Sequence, residues 1–351
     1  MKKILLLAGI AVAMASCSNP NAYTIDGQIA GATGMAYLLD NEMQVVDSTA
    51  LSAEGAFHFE GVVEEPAVAF VRDGRERATS FSAMLILEPG AIQIADDAEQ
   101  SYRKVVSGTP ANDASRAYAE ASGALVKEFR AEETTEERRT AIEEEYEALS
   151  KSTLEANRNN LFGAMMLAQE LAMEMSAQEI LDEIARFSPA LQATSVLTKL
   201  KAHAEQVMLT EVGKPYINIE LPTAEGEIIS LQSVIENPQV KYTLIDFWAS
   251  WCGPCMGEVP HLKEAYKKFH KKGFEIYGIS LDKSQEKWLE AVKEHKMEWI
   301  HVGEVNGWEN KAVKDYAVRS IPTNLLVNSD GVIIAKNLRG EEVIAKLEEV
   351  L

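Results

Sequence analysis

The hydrophobic and polar positions of this chain follow three patterns in succession. From about residue 23 to residue 108, short apolar runs alternate with polar residues and stop at glycines, which is typical of strands and tight turns. In the sequence AFHFEG, Phe57 and Phe59 alternate with His58 and Glu60, so a strand with one buried face is predicted. Residues 23–108 are therefore expected to form a β-sandwich domain, and no catalytic motif stands out in them.

Apolar residues at helical spacing replace this pattern between residues 109 and 212. Thr134, followed three residues later by Glu137, predicts a capped helix start. Ser188 directly before Pro189 predicts a second helix start. The middle of the chain is therefore expected to be a helical region.

From residue 213 to residue 351, segments with a strand pattern alternate with segments with a helix pattern. Such alternation predicts an α/β sheet covered by helices on both faces. The predicted strands are Tyr242–Trp248, Phe274–Leu281, Ile321–Val327 and Val332–Lys336, and the predicted helices run from Cys252 to His270, from Gln285 to His295 and from Glu341 to Leu351. The fold class expected for the whole chain is multidomain α+β: an N-terminal β-sandwich, a helical middle region and a C-terminal α/β domain.

The first residues have the pattern of an export signal. Two lysines precede the apolar stretch Ile4–Met14, which is too short to cross a bilayer but suits a secretory signal. The following Ala15-Ser16-Cys17 resembles the lipobox of bacterial lipoproteins, in which the cysteine is lipidated and becomes the mature N-terminus. Residues 1–16 are therefore predicted to be a lipoprotein-type signal peptide, and residues 17–22 a tether. The alternative is a simple secreted protein.

Lipidation at Cys17 would anchor the protein to a bacterial membrane, facing the periplasm. Ser18 and Asn19, which follow the cysteine, are not acidic, and this favours the outer membrane. The net charge of −20 makes nucleic acid an unsuitable partner, because its phosphates would be repelled.

The chain has three cysteines, and two of them form the motif Cys252-Gly253-Pro254-Cys255. A structural zinc site needs four ligands, and the sequence offers neither a second cysteine pair nor a histidine pair at the usual spacing. A c-type haem would need a histidine after Cys255, where Met256 stands. We therefore expect no metal and no cofactor. A structural disulfide and a redox-active disulfide stay open as alternatives.

The redox interpretation explains the position of the pair at the predicted start of a helix. There Cys252 would face unpaired N–H groups and the positive end of the helix dipole, both of which favour the thiolate. Cys252 is therefore the expected nucleophile, and Cys255, one helical turn further, is expected to resolve the mixed disulfide. Gly253 and Pro254 keep bulky side chains away from an approaching partner.

The sequence LIDFWASWCGPC, together with Pro260 and SIPTNLLV, resembles the thioredoxin superfamily over residues 213–351. The resemblance implies that Asp246 is a buried carboxylate beneath the dithiol and that Pro260 lies within the active-site helix. It also implies that Pro322, after Ile321, forms a cis peptide bond opposite the dithiol. Glu258 and the long segment between residues 281 and 321 resemble the TlpA/ResA-like subgroup.

That subgroup reduces disulfides outside the cytoplasm, so the resemblance implies a membrane-tethered thiol–disulfide oxidoreductase. Its expected partners are proteins that carry disulfides and a membrane protein that supplies electrons. The expected catalytic residues are Cys252, Cys255, Asp246 and Glu258, and the expected substrate-binding residues are Trp251, Gly253, Pro254, Ile321 and Pro322. Gly-Pro between the cysteines is similar to the reducing members of the superfamily.

Two other functions compete with this interpretation of the sequence. A peroxiredoxin-like peroxidase would need proline seven residues, and threonine or serine three residues, before its reactive cysteine. Ile245 and Ala249 occupy these positions before Cys252. The other alternative is a non-catalytic binding lipoprotein with a thioredoxin scaffold, which would not need both cysteines.

Overall fold

The structure is a computed structural model of the chain, and it describes residues 19–29, 33–74, 81–97 and 104–351. These residues form two compact units. The first extends to Ser176 and also includes Asp182–Thr198, and the second comprises Ala177–Leu181 and Lys199–Leu351. The predicted signal peptide and the predicted lipidation site, Cys17, lie outside the described residues.

The N-terminal part of the first unit consists of two sheets around one apolar core. Its strands, among the described residues, are β1 (Ala22–Gln28), β2 (Met35–Asp40), β3 (Val45–Ala50), β4 (Ala56–Val62), β5 (Ala67–Arg72), β6 (Ser82–Leu87), β7 (Gly90–Asp96) and β8 (Lys104–Ser107). One sheet has the order β4-β1-β7-β8 and the other β3-β2-β5-β6. On β4, Phe57 and Phe59 are buried and His58 and Glu60 are exposed, as the alternation predicts.

Helices follow these strands. They are α1 (Pro110–Phe129), α2 (Glu136–Ala156), α3 (Leu161–Met166), α4 (Ala177–Ala185), α5 (Pro189–Gln192) and α6 (Ser195–Leu209), and a π-helical turn continues α3 over Leu167–Leu171. Ser188 caps α5 as predicted. The predicted cap at Thr134 is wrong by one residue, because Thr135 accepts the hydrogen bond from the Arg138 N–H. The Thr134 hydroxyl instead donates to the carbonyl of Glu128, near the end of α1.

The second unit contains the α/β domain. Its strands are β9 (Glu220–Pro222), β10 (Ile228–Ser230), β11 (Tyr242–Trp248), β12 (Phe274–Ser280), β13 (Ile300–Val302), β14 (Thr323–Asn328) and β15 (Ile333–Lys336). Its further helices are α7 (Leu231–Ile235), α8 (Gly253–Phe269), α9 (Gln285–His295), α10 (Lys311–Asp315) and α11 (Glu342–Val350). Short 3₁₀ turns follow α8 over His270–Lys272 and precede α10 over Gly307–Glu309.

The main sheet of this unit has the order β13-β12-β11-β14-β15. Strand β11 is central, parallel to β12 and antiparallel to β14. Leu244, Ile245 and Phe247 on β11 are fully buried, which explains the almost continuous apolar run in this strand. The end of β11 therefore fixes the start of α8 against the middle of the sheet.

The predicted fold class is confirmed: a strand-rich N-terminal region, a helical middle and a C-terminal α/β domain. The predicted limits of the domains stay a prediction. Strand β14 begins at Thr323, two residues later than predicted and directly after the cis peptide bond between Ile321 and Pro322. Across the described residues, no helix combines the length and the apolar character needed to cross a membrane.

Candidate active site

The two cysteines lie at the junction of β11 and α8. Cys252 has an extended backbone, with φ −86° and ψ 97°, and is the N-cap of α8, while Pro254 occupies the first turn. Proline suits this position because its missing N–H would have no partner inside the helix. Cys252 and Cys255 form a disulfide, with their Cα atoms 5.2 Å apart.

A hydrogen bond distinguishes the two sulfur atoms. The backbone N–H of Cys255 donates to Sγ of Cys252 at 3.2 Å, so the sulfur of Cys252 acts as the helix cap. In the reduced protein, this N–H and the helix dipole would stabilise a thiolate at Cys252. Exposure does not separate the two residues, since Cys252 is 5% exposed and Cys255 3%.

A buried carboxylate holds the loop that leads from β11 to Cys252. Asp282, which is 2% exposed, accepts hydrogen bonds from the backbone N–H of Ser250 at 3.0 Å and from its hydroxyl at 2.6 Å. The hydroxyl of Ser280 also donates to Asp282, at 2.9 Å. The sequence pattern alone does not single out Asp282. Its place just after the end of β12 is a signal, because β12 is parallel to β11 and the two strands end at the same edge of the sheet.

Asp246 lies on β11 and is buried, as the resemblance implies. Burial raises the pKa of its carboxyl from 3.8 to about 7. The positive charge of Arg339 opposes this rise, and the negative charge of Glu258 adds to it. A carboxyl with a pKa near 7 can accept and release a proton at neutral pH.

Glu258 lies on α8, one turn after Cys255, and is half-buried. Its Oε2 accepts a hydrogen bond from the backbone N–H of Gly340 at 2.7 Å. The structure therefore brings Glu258 into the electrostatic surroundings of Asp246. Pro260 lies inside the same helix, where it removes one backbone donor.

The segment before β14 faces the cysteine pair. The carbonyl oxygen of Ile321 lies 3.7 Å from Sγ of Cys252, and the Ile321–Pro322 peptide bond is cis. Ile321 and Pro322 are half-buried, whereas Gly253 and Pro254 are exposed and Trp251 is 57% exposed. The five residues predicted to bind substrate are thus accessible to solvent, although Cys252 itself is nearly covered.

The structure also brings together residues that the sequence did not single out. Arg339 donates from its guanidinium to the carbonyl oxygen of Pro322. Asn324 hydrogen-bonds to the backbone of Leu338, next to Arg339. Within the part of the chain that the structure describes, no group of three or more His, Cys, Asp or Glu residues is arranged to hold a metal ion.

Comparison with protein families gives two matches. A family described as thioredoxin-like matches residues 239–333, which include Cys252, Cys255 and Pro322. A domain of unknown function matches residues 23–115, which correspond to the strand-rich part of the first unit.

Comparison with individual proteins gives matches that cover about 40% of the chain. The thiol-disulfide oxidoreductase ResA of Bacillus thuringiensis subsp. konkukian is 30% identical over 141 residues, which cover 40% of this chain and 77% of that protein. The protein of the same name from Halalkalibacterium halodurans is 25% identical over 145 residues, 41% of this chain and 78% of that protein. Among solved structures, the C-terminal domain of a putative thiol-disulfide oxidoreductase from Bacteroides thetaiotaomicron is 40% identical, with a TM-score of 0.37, and the match covers 40% of this chain and 96% of that one.

Proposed function

The chain belongs to the ResA family of thiol–disulfide oxidoreductases, and from this premise we propose that it reduces disulfides of other proteins outside the cytoplasm, through Cys252 and Cys255. The observation that carries the proposal is the cysteine pair at the start of α8, where the N–H of Cys255 donates to the sulfur of Cys252. The neighbouring cis peptide at Pro322 and the buried Asp246 support it.

The proposed reaction has two exchange steps. The thiolate of Cys252 attacks one sulfur of the substrate disulfide, which forms a mixed disulfide and releases the other substrate sulfur as a thiolate. Cys255 then loses its proton and attacks Sγ of Cys252, which releases the second substrate thiolate. Two electrons pass to the substrate, its two thiolates take up protons, and the protein is left with the Cys252–Cys255 disulfide.

Asp246 and Glu258 are the proposed proton acceptors for Cys255. Burial disfavours the thiolate of Cys255, so the resolving attack needs a base nearby. Asp246 has a pKa of about 7 and lies in the electrostatic range of Glu258. Trp251, Gly253, Pro254, Ile321 and Pro322 form the proposed contact surface for the substrate.

Insulin is a suitable substrate for testing the function of the full-length protein. With dithiothreitol as electron donor, the protein should accelerate the precipitation of the insulin B chain. The double variant Cys252→Ser, Cys255→Ser should precipitate insulin no faster than dithiothreitol does without protein. Consumption of peroxide without insulin reduction would support the peroxidase instead, and activity in neither assay would support a binding lipoprotein.

The proposed location is a bacterial membrane, preferably the outer membrane, with the protein facing the periplasm through a lipid on Cys17. A membrane protein would then supply the electrons that reduce the disulfide again. The sequence Ala15-Ser16-Cys17 after an apolar stretch supports this proposal.

We expect the variant Cys17→Ala to remain an unprocessed precursor without acyl label when it is expressed in a bacterium with radioactive palmitate. The thiol side chain is the acceptor of the lipid, so alanine at this position removes the site. Cys252→Ser, which leaves the leader intact, is the matched control and should be labelled normally. Persistent labelling of Cys17→Ala would contradict lipidation at this residue.

A further inference from the structure

We propose that Arg339 is a positioning residue: it ties the substrate-facing segment at Pro322 to the loop that is held by Asn324, the cross-strand neighbour of Asp246, and by Glu258, and it brings a positive charge into this group of carboxyls. The proposal rests on the function proposed above. It assigns to residues 337–340, named the arginine loop here, a role in both the binding and the resolving steps.

The first observation is the contact of the guanidinium with the cis-peptide segment. One terminal nitrogen of Arg339 donates to the carbonyl oxygen of Pro322. The other terminal nitrogen donates to the carbonyl oxygen of the preceding residue, Leu338, at 3.0 Å. The side chain is half-buried, so these bonds are partly shielded from water. Two donors in a planar fork hold the backbone of Pro322 in one orientation relative to the loop.

The second observation is that the arginine loop is itself fixed. Asn324, which is 2% exposed, donates to the carbonyl of Leu338 at 2.9 Å and accepts from its N–H at 2.9 Å. The backbone N–H of Asn337 donates to the backbone carbonyl of Asn324 at 2.8 Å. Asn324 follows Pro322 by two residues and lies opposite Asp246 in the sheet. Movement of the loop would therefore break three hydrogen bonds to the buried Asn324.

The third observation is that the same loop reaches the second carboxylate. Gly340 has a φ of +53°, a left-handed conformation that suits glycine, and its N–H donates to Oε2 of Glu258. One short loop thus contacts the cis-peptide segment and Glu258, while its arginine acts on Asp246.

The pKa of Asp246 is set by burial and by the charges of Glu258 and Arg339. Burial and the negative charge of Glu258 both raise the pKa of Asp246, and Arg339 lowers it. The residues beside Asp246 on the neighbouring strands, Gly278 and Asn324, do not titrate. Other ionisable groups near the helix start are Asp282, which accepts from Ser250, His261 of α8, which lies beside Gly340, and the two cysteines, which are paired in the oxidised protein. Arginine keeps its charge at all relevant pH values, so its effect on Asp246 is constant.

The test is a titration of the Asp246 carboxyl, followed by ¹³C NMR in the oxidised full-length protein, where the cysteines do not titrate. In Arg339→Gln the midpoint should move upward by about one pH unit, because an opposite charge near a carboxyl lowers its pKa by about that much or more. Arg339→Lys, which keeps the charge, should move it less. Lys271→Gln removes an exposed positive charge from the same unit and should leave it unchanged.

A kinetic readout separates this role from a merely structural one. The rate of the resolving step should rise with pH as Asp246 loses its proton. In Arg339→Gln this rise should occur at higher pH than in the wild type. In Arg339→Lys it should lie closer to that of the wild type. If Arg339→Gln does not fold, Arg339→Met repeats both measurements with an apolar chain that keeps the packing of the stem.

An Asp246 midpoint that stays constant or falls in the neutral variant overturns the proposal, as does an equal shift in Lys271→Gln. The titration requires no reductase activity. A wild-type protein that fails to reduce insulin would therefore refute the proposed function separately from the effect of Arg339.

Discussion

Replacing Cys255 by serine should stop the reaction at a mixed disulfide between Cys252 and the substrate, whereas replacing Cys252 should prevent that intermediate from forming. The physical reason is the N–H of Cys255, which donates to the sulfur of Cys252 and is present whatever the side chain of residue 255. Cys252 therefore keeps its stabilised thiolate in Cys255→Ser. In Cys252→Ser the remaining thiol is buried and has no such cap.

The expected loss of insulin reduction is large in both variants, more than about a thousandfold, because removal of either group of a unit that acts together stops turnover. The two variants differ in their products. After reduction and mixing with a disulfide-bearing protein, Cys255→Ser should run as a covalent adduct on a non-reducing gel. Peptide mapping should place the new bond at Cys252.

Cys252→Ser is the matched comparison, and the double variant is the blank. Adducts that form through Cys255 in Cys252→Ser, with a yield similar to that of Cys255→Ser, would contradict the assigned order. Both variants keep the sequence of α8 outside the pair, so circular dichroism should confirm an unchanged helix content.

The elements around the dithiol could be predicted from the sequence because their signals are local. The limits of β11 and α9 agree with the sequence prediction. A continuous apolar run marks β11, and apolar residues at helical spacing mark α9. The place of Cys252 at the helix start follows from the same signals, and the proline two residues later suits the first turn.

The residues that organise the carboxylates could not be predicted in this way. Arg339 and Gly340 lie in a turn whose sequence predicts a loop, and their contacts are with Pro322 and Glu258, far away in the chain. Asp282 follows a strand and resembles any polar residue at a strand end. Such contacts depend on which distant segments the fold brings together, and a local sequence pattern does not encode that.

Asp246→Asn should make the folded protein more stable at neutral pH while it slows the resolving step. The wild-type carboxyl has a pKa of about 7 in the folded protein, against 3.8 as its ordinary value. Between these values the folded state keeps a proton that the unfolded state has lost. The free energy of unfolding of the wild type therefore falls as pH rises from about 4 to about 7 through this group.

The neutral amide of asparagine does not carry this penalty. Below pH 4, residue 246 should contribute equally to the free energy of unfolding of the variant and of the wild type. Above pH 7, the free energy of unfolding of the variant should exceed that of the wild type by roughly 2–4 kcal/mol. Urea unfolding followed by tryptophan fluorescence measures this difference in the second unit, because all five tryptophans of the chain lie there. Glu290→Gln, which removes an exposed acid on α9, is the control and should show no such growth with pH.

The same substitution, Asp246→Asn, should slow the reaction although it stabilises the folded protein. Asparagine cannot accept the proton of Cys255, so decay of the mixed disulfide near pH 7 should slow by about tenfold to a thousandfold, and Glu258→Gln should fall in the same range. Formation of the mixed disulfide by Cys252 should change much less, because the N–H of Cys255 still caps its sulfur. Rapid mixing with a fluorescent disulfide substrate resolves the two phases.

A decay rate equal to that of the wild type in both variants would refute proton transfer by these carboxylates. A stability difference that does not depend on pH would refute the raised pKa of Asp246 on which the transfer depends.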